Sequence, residues 1–234
     1  GAQMLTKIEG GMGLLMGGTA GVQAAHVVIL GAGTVGLSAA KVAMGMGARV
    51  TILDSNLFRL RQIDDLFGGR IQTLASNAFN IAAATKDADL LVGSVLIPGA
   101  LTPKLVTEAM VKTMKPGSAI VDVAIDQGGC IEPTAKHGAT YHDKPTFKYP
   151  VNGGEVVCYS VGNMPGAVAR TSTFTLTNAT MPYMVDLANK GWKKACQDDK
   201  ALARGINTYD GKVYFKGVSD ALGYELHCTC DILK

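Results

Sequence analysis

Short apolar runs alternate along the chain with segments whose apolar residues recur every three or four positions. The runs predict strands at 26–30, 49–54, 70–74, 90–97, 118–125 and 155–161. The other segments predict helices at about 35–46, 56–68, 77–86 and 107–114. Strands that alternate with helices in this way are typical of an α/β fold, here a Rossmann-type doubly wound parallel sheet.

The two ends of the chain differ from this repeating middle part. Residues 1–25 predict the end of a linker helix, over 1–9, and a glycine-rich approach to the sheet. Residues 26–169 form the predicted nucleotide-binding domain. The segment 170–234 starts with many hydroxyl side chains and predicts a helical tail, with helices at about 175–190 and 192–203 and an irregular stretch over 205–234.

A glycine pattern, Gly-x-Gly-x-x-Gly, joins the first strand to the first helix at Gly31, Gly33 and Gly36. The first glycine permits a tight turn, the second lets a pyrophosphate approach the backbone, and the third allows close packing of helix and strand. Thr34 and Val35 fall at the helix N-terminus, where free N–H groups favour phosphate. The pattern by itself is a weak signal, and its position between strand and helix strengthens it.

An acid, Asp54, ends the second strand, 18 residues after Gly36. This spacing suits a carboxylate that binds the adenosine ribose, and its charge favours NAD over NADP. Arg59 and Arg61 weaken that preference, because either could pair with a 2′-phosphate. Two alternatives remain open at this point: Asp54 caps the next helix, or it is the strand-end acid of an S-adenosylmethionine-dependent methyltransferase.

Composition excludes several classes of function. The net charge is +3 without a basic cluster, and no apolar run is long enough to span a membrane, so neither nucleic acid nor a membrane is expected as a partner. Five scattered cysteines favour a reducing cytoplasm over a disulfide framework. The pair Cys228 and Cys230 could bind a metal or form a redox pair, but no metal site is predicted.

Ligands bind such sheets at the carboxyl ends of the strands. Besides Asp54, the residues predicted there are Ser76, those from Val95 to Ile97, Asp126, and those from Gly162 to Pro165. Asp126 is the candidate for chemistry, since a carboxylate can orient water or stabilise a developing positive charge. From the residues alone, a role for Asp126 as a helix cap is as well supported as a role in the active site.

Several segments together resemble alanine dehydrogenases over nearly the whole chain. Besides the glycine pattern, they are Lys7-Ile-Glu-Gly-Gly-Met-Gly-Leu-Leu-Met-Gly-Gly, Leu96-Ile-Pro-Gly-Ala, Met114-Lys-Pro-Gly-Ser, Ala124-Ile-Asp-Gln-Gly-Gly-Cys130, Asn163-Met-Pro, Thr171-Ser-Thr and Thr177-Asn-Ala-Thr-Met-Pro-Tyr183. The glycine pattern alone is unspecific, and the Ala124–Cys130 run together with the Thr177–Tyr183 run is much more specific. The coenzyme-binding part of proton-translocating transhydrogenase is a related family.

The resemblance implies reversible, NAD-dependent deamination of L-alanine to pyruvate and ammonia. It places Gly31, Gly33 and Gly36 along the pyrophosphate with Thr34 and Val35, and Asp54 on the ribose. It also implies cofactor contacts by Arg59, Ser76, Val95, Leu96, Ile125, Asn163 and Met164. Asp126 would be the catalytic residue beside the nicotinamide.

Members of that family carry an N-terminal substrate domain that supplies a lysine and a histidine, and these 234 residues do not include it. The resemblance implies that 170–234 belongs to that domain, and that the enzyme is a cytoplasmic homo-oligomer, a hexamer. The hypothesis is therefore a coenzyme half that folds and binds NAD without turning over alanine. The alternatives are a transhydrogenase module, which in general lacks the acid at Asp126, and a non-catalytic NAD-binding module.

Overall fold

The computed structural model describes residues 1–96 and 102–234. The described residues form two compact units. The first extends to Met164, and the second runs from Pro165 to Lys234.

The first unit is built on a seven-stranded sheet with the order β3-β2-β1-β4-β5-β7-β6. The strands are β1 (His26–Leu30), β2 (Arg49–Asp54), β3 (Gln72–Ala75), β4 (Leu90–Gly93), β5 (Ala119–Asp122), β6 (Thr146–Val151) and β7 (Gly154–Tyr159). Strands β1 to β5 and β7 run parallel, and β6 is an antiparallel edge. The strand order reverses between β1 and β4, where such folds bind ligands. The predicted fold class is confirmed.

Helices cover both faces of the sheet because successive strand residues point to opposite sides. On β1, Val27 and Ile29 belong to one buried cluster, and Val28 and Leu30 to another. The helices are α1 (Thr34–Gly45), α2 (Leu57–Phe67), α3 (Ala78–Asp87), α4 (Glu108–Val111) and α5 (Glu132–His137). Buried residues of α1 and α2 join the first cluster, and those of α3 join the second.

Two predicted strands are shorter than expected. Strand β4 ends at Gly93, where Ser94 donates its N–H to the Leu30 carbonyl at 2.9 Å, and the predicted end at Ile97 lies outside the described residues. Strand β5 ends at Asp122 and continues as a 3₁₀ turn over Val123–Gln127.

The edge strand β6 was not predicted from the sequence. It pairs with β7 through the two-residue turn Asn152-Gly153, in which Gly153 has a φ of 85°. Asn-Gly between two apolar runs is a strong hairpin signal, so this strand could have been predicted from the sequence.

The predicted helix end over residues 1–9 is wrong. A 3₁₀ turn covers only Gln3–Leu5. The Leu5 carbonyl accepts N–H groups from Gly13 at 2.8 Å and Leu14 at 3.0 Å, which folds the glycine-rich segment back on this turn. Burial of the Leu5 side chain then fixes the segment in the core.

The second unit starts with α6 (Ala169–Asp198), which is interrupted at Gly191 with a φ of 74°, and continues with α7 (Lys200–Arg204). The two predicted helices are thereby confirmed. The predicted irregular tail is wrong, because it contains the hairpin β8 (Thr208–Tyr209) and β9 (Lys212–Val213), followed by α8 (Lys216–Leu222). Asp210 and Gly211 both have positive φ, as the tight hairpin turn requires.

Within 1–96 and 102–234, no helix combines the length and apolar character that crossing a membrane would need.

Candidate functional site

The glycine turn after β1 requires glycine at its first position. Gly31 has a φ of 96°, and a Cβ there would lie 2.9 Å from the Ser94 carbonyl oxygen. Its N–H donates to the Leu53 carbonyl at 2.8 Å, which ties the turn to β2. The chain therefore leaves β1 in a left-handed turn between two neighbouring strands.

The other two glycines have opposite surroundings. Gly33 is exposed at the N-cap of α1, no side chain of the described residues caps this helix, and a Cβ would meet nothing within 4 Å. Gly36 is buried, and its Cβ would collide with the Gly31 carbonyl oxygen and lie 2.8 Å from Ser94 Oγ. Gly33 thus leaves open space in front of the helix N-terminus, whereas Gly36 allows α1 to pack on β1.

Asp54 connects the glycine turn to α2. Its Oδ2 accepts the N–H of Ala32 at 2.7 Å, and its Oδ1 accepts the N–H of Asn56 at 2.8 Å. Asn56 itself is the N-cap of α2, with Oδ1 3.1 Å from the N–H of Arg59. The alternative that Asp54 caps this helix is therefore wrong. Each carboxylate oxygen keeps a free lone pair that can accept a ligand hydroxyl.

The two arginines have different environments. Arg59 Nε donates to the Ala32 carbonyl at 2.8 Å, and its Nη1 donates to Gln62 Oε1 at 3.2 Å. Its guanidinium thus braces the glycine turn from the side of α2. Arg61 is exposed.

A cleft of about 640 Å³ opens at the carboxyl ends of β1 to β4. Eight of the residues predicted to contact the cofactor line it: Gly31, Gly33, Thr34, Val35, Asp54, Ser76, Val95 and Leu96. Five further residues line the cleft and were not predicted to do so: Leu53, Ser55, Ser94, Pro103 and Leu105. A cleft of this volume is in the range that cofactors occupy.

Ser94 is the most informative of the missed residues. It is 8% exposed, and its Oγ lies 2.7 Å from the Leu30 carbonyl oxygen and 3.1 Å from that of Gly31. The hydroxyl therefore holds the end of β4 against the glycine turn. Ser94 was not recognised from the sequence because the strand was predicted to continue through Ile97, which put Ser94 inside the strand and not at its end.

A second group of predicted residues lies after β5 and β7. Asp126 is exposed in the 3₁₀ turn, and both its carboxylate oxygens lie 3.3 Å from the N–H of Asn163. Asn163 has a φ of 54°, which turns its N–H toward the acid. The N-cap of α5 is Ile131, so Asp126 does not cap that helix.

The neighbours of Asp126 differ in exposure. Ile125 is buried, with 6% of its surface exposed, and it does not line the cleft. Met164 is half-buried at the end of the first unit.

A buried acid that the sequence analysis missed stabilises the loop behind Asp126. Asp122 is fully buried, and its carboxylate accepts the hydroxyl of Thr134 at 2.5 Å and N–H groups of Ile131 at 3.2 Å and Cys130 at 3.4 Å. Burial, and then the Asp122 charge, raise the pKa of the Cys130 thiol far above its usual range. This thiol is therefore protonated and unreactive in the folded protein.

Lys104 holds the same loop from its exposed side. Its Nζ donates to the carbonyls of Gly128 and Gly129, the latter at 2.6 Å. The turn that carries Asp126 is thus fixed from within by Asp122 and from outside by Lys104.

The order of the strands gives the spacing of the two acids. Asp54 ends β2 and Asp126 follows β5, so β1 and β4 lie between them. Three strand spacings of roughly 4.8 Å separate the two positions by about 14 Å along one sheet edge. An extended dinucleotide laid across the glycine turn can span such a distance. Among the described residues, no group of three or more His, Cys, Asp and Glu side chains is placed to hold a metal.

These features define a dinucleotide-binding protein of the Rossmann class, with one acid on each side of the glycine turn along the ligand edge. A family model described as "Alanine dehydrogenase/PNT, C-terminal domain" matches residues 1–216. The chain therefore belongs to the alanine dehydrogenase/PNT C-terminal domain family. Domains of this family bind NAD, which confirms the predicted cofactor and contradicts the methyltransferase alternative.

Individual relatives agree with this assignment. The chain is 58% identical over 221 residues to an alanine dehydrogenase of Methanococcus maripaludis, and 54% identical over 234 residues to one of Staphylococcus haemolyticus. These alignments cover 94% and 100% of the chain, but 58% and 61% of the relatives. The chain thus spans about three fifths of their length.

Solved structures show the same relation. An L-alanine dehydrogenase matches with a TM-score of 0.85 and 48% identity, over 95% of this chain and 60% of that one. A transhydrogenase from Sinorhizobium meliloti matches with a TM-score of 0.61 and 27% identity, over 79% of this chain and 49% of that one.

Proposed function

We propose that this chain is the NAD-binding part of an L-alanine dehydrogenase, which interconverts L-alanine, NAD and water with pyruvate, ammonia and NADH. The observation that carries the proposal is Asp126, an exposed carboxylate held by Asn163 at the ligand edge of a chain with this family membership. The activity itself would require the substrate domain that such enzymes carry.

The cleft residues would hold NAD, which supplies the hydride acceptor. The open space at Gly33 and the uncapped N-terminus of α1 fit a pyrophosphate. Asp54, fixed by two backbone N–H groups, would accept hydroxyls of the adenosine ribose. Arg59 would act through the turn that it braces, and Ser76 would face the adenine side.

Residues nearer β5 would contact the other half of the cofactor. Val95 and Leu96 line the cleft beyond the glycine turn and would pack along its middle. Asn163 and Met164 would lie near the nicotinamide. Because Ile125 is buried, we assign it a packing role under the adjacent turn.

Asp126 would be the catalytic residue, acting as a carboxylate. Its N–H partner restrains the carboxylate without neutralising it, since a backbone N–H carries no formal charge. A restrained carboxylate can orient water or ammonia and stabilise the positive charge that develops on the substrate nitrogen when hydride leaves Cα.

We also propose that 170–234 packs on a substrate domain and that 26–169 is the nucleotide-binding domain. Support comes from α6, which exposes several large apolar side chains that an isolated soluble unit would not favour. They are Phe174, Leu176, Met181, Tyr183, Met184 and Val185. We further propose that the whole enzyme is a cytoplasmic homo-oligomer, and the resemblance to the family implies a hexamer.

The first experiment measures NAD binding to the purified 234-residue chain by calorimetry. The second fuses the chain to the N-terminal part of the Methanococcus maripaludis alanine dehydrogenase and measures alanine-dependent NADH formation. We expect NAD binding in the first and activity in the second, and Asp126→Asn should reduce the activity by about 10²–10⁴-fold while NAD binding persists. A folded, NAD-binding fusion without alanine-dependent activity would contradict the proposal.

The transhydrogenase structure supports a second candidate, the coenzyme module of a transhydrogenase. Its support is weaker, at 27% identity against 48%, and it gives no role to Asp126. An inactive fusion that still binds NAD would favour it over the dehydrogenase.

A further inference from the structure

A pair of cysteines, Cys228 and Cys230, lies beyond residues 1–216, which the family model matches. The two residues are joined in a disulfide across a single intervening threonine, with their Cα atoms 5.2 Å apart. Both are exposed. They take no part in the glycine turn or in the region around Asp126.

The turn that carries the pair is anchored on both sides. Before it, the N–H of His227 donates to the Val213 carbonyl at 2.8 Å. After it, Gln197 Nε2 donates to the Leu233 carbonyl at 2.8 Å. The two sulfurs therefore stay next to each other on a fixed turn whether or not they are bonded.

The remaining cysteines have the opposite environment. Cys130, Cys158 and Cys196 are free and buried. Burial, followed by the nearby Asp122 charge, raises the pKa of the Cys158 thiol to about 12, and burial also raises the pKa of Cys196. Among the described cysteines, Cys228 and Cys230 are therefore the ones that thiols in solution can reach.

The two sulfurs have different surroundings, which affect how readily each would leave as a thiolate if the disulfide were cleaved. The N–H of Cys230 points to Cys228 Sγ at 3.3 Å, whereas Cys230 Sγ lies 3.7 Å from Asp231 Oδ1. A thiolate released at Cys228 would accept that N–H, but one released at Cys230 would face a carboxylate. Cleavage with Cys228 as the leaving group is thus favoured.

We propose that Cys228 and Cys230 form a thiol–disulfide exchange site for low-molecular-weight thiols. A thiolate attacks Cys230 Sγ, a new S–S bond forms there, and the Cys228–Cys230 bond breaks to give the Cys228 thiolate, which takes up a proton. A second thiol then attacks the external sulfur of the mixed disulfide. The protein becomes a dithiol, and two thiols become one external disulfide.

A metal bound at this pair would need further ligands. A structural zinc or similar ion needs about four ligands. Asp231 is the acid that lies beside the pair, and within 1–96 and 102–234 no group of three or more His, Cys, Asp and Glu side chains is placed to hold a metal.

The test uses the purified 234-residue chain, treated under native conditions with reduced glutathione and then with N-ethylmaleimide. Peptide mass spectrometry reads the labelled cysteines. We expect label at Cys228 and Cys230, and at the three buried cysteines only after denaturation. The reduced chain, incubated with oxidised glutathione before N-ethylmaleimide is added, should remain unlabelled at both positions. Reduction that requires unfolding, or a dithiol that oxidised glutathione does not reoxidise, would overturn the proposal.

Two matched variants test the direction. Cys230→Ser leaves Cys228 as a single thiol, and Cys228→Ser leaves Cys230. At neutral pH the Cys228 thiol should react with oxidised glutathione about two- to fivefold faster, because only Cys230 faces the carboxylate. Adding Asp231→Asn to Cys228→Ser should remove most of the difference. Equal rates in the two single variants would refute the assignment of Cys228 as leaving group.

Discussion

The contrast between Gly33 and Gly36 separates cofactor binding from folding in a single experiment. Gly33 has φ −70° and ψ −168°, which any residue adopts, and a Cβ there would touch no protein atom within 4 Å. Gly33→Ala should therefore leave the folded chain intact. The added methyl group would instead occupy space in front of α1, where the proposal puts the pyrophosphate.

The size of the effect follows from overpacking. Forcing a methyl group into an occupied contact costs about 1–3 kcal/mol, which corresponds to roughly 5- to 150-fold weaker NAD binding. Stability should be unchanged or about 0.4–1 kcal/mol higher, because alanine restricts the unfolded chain. Calorimetric titration with NAD measures the first quantity, and thermal unfolding without ligand measures the second.

Two alanine variants in the same helix serve as controls. In Gly36→Ala the methyl group collides with the Gly31 carbonyl oxygen, so α1 must move. We expect a loss of about 1–3 kcal/mol in stability, or roughly 2–10 °C in Tm. Gly45→Ala, at the exposed end of α1, should weaken neither NAD binding nor thermal stability. A Gly33→Ala variant that binds NAD like the parent chain, or whose Tm falls as much as that of Gly36→Ala, would contradict a pyrophosphate site at Gly33.

Three other predictions concern charged and polar groups. Asp54→Asn should weaken NAD binding and narrow the preference for NAD over NADP in calorimetry, because the negative charge that repels a 2′-phosphate is lost. Asp122→Asn should cost about 1–3 kcal/mol in urea unfolding, since the amide cannot accept from all the donors around that buried carboxylate, Thr134 among them; an unchanged midpoint would count against the bracing role. Burial, and then the Arg49 charge, lower the pKa of His26. The unfolded chain therefore binds the proton more readily, and stability should fall as pH decreases below about 6.5. His26→Gln should flatten that loss between pH 7 and 5, and an equally steep decline in the variant would contradict this account.

Much of the sheet could be predicted because its signals are local. The apolar run 26–30, the glycine turn and the run 49–54 each predict their structure without reference to distant residues. Asp54 could be placed at the ligand edge for the same reason, since it directly follows a buried strand. The Asp210-Gly211 turn was recognised as well, but the short strands on each side of it have too few residues for a periodic pattern.

The residues that fix the site could not be predicted because their partners are distant in sequence. Ser94 acts on Leu30 and Gly31, and Lys104 acts on Gly128 and Gly129. These contacts depend on the register between β1 and β4 and on the path of the loop after β5. Neither leaves a pattern in the sequence near the residue itself.

Three acids at or just after the carboxyl ends of β2 and β5 show why position in the sequence does not determine function. Asp54 accepts two N–H groups and keeps lone pairs for a ligand, Asp122 is fully buried among protein donors, and Asp126 is exposed with one N–H partner. All three follow or end an apolar run, so the sequence presents them alike. What distinguishes them is how many protein donors surround each carboxylate. The acid with the fewest protein partners, Asp126, has the most capacity left for substrate, and the buried acid four positions before it fixes the loop on which it stands.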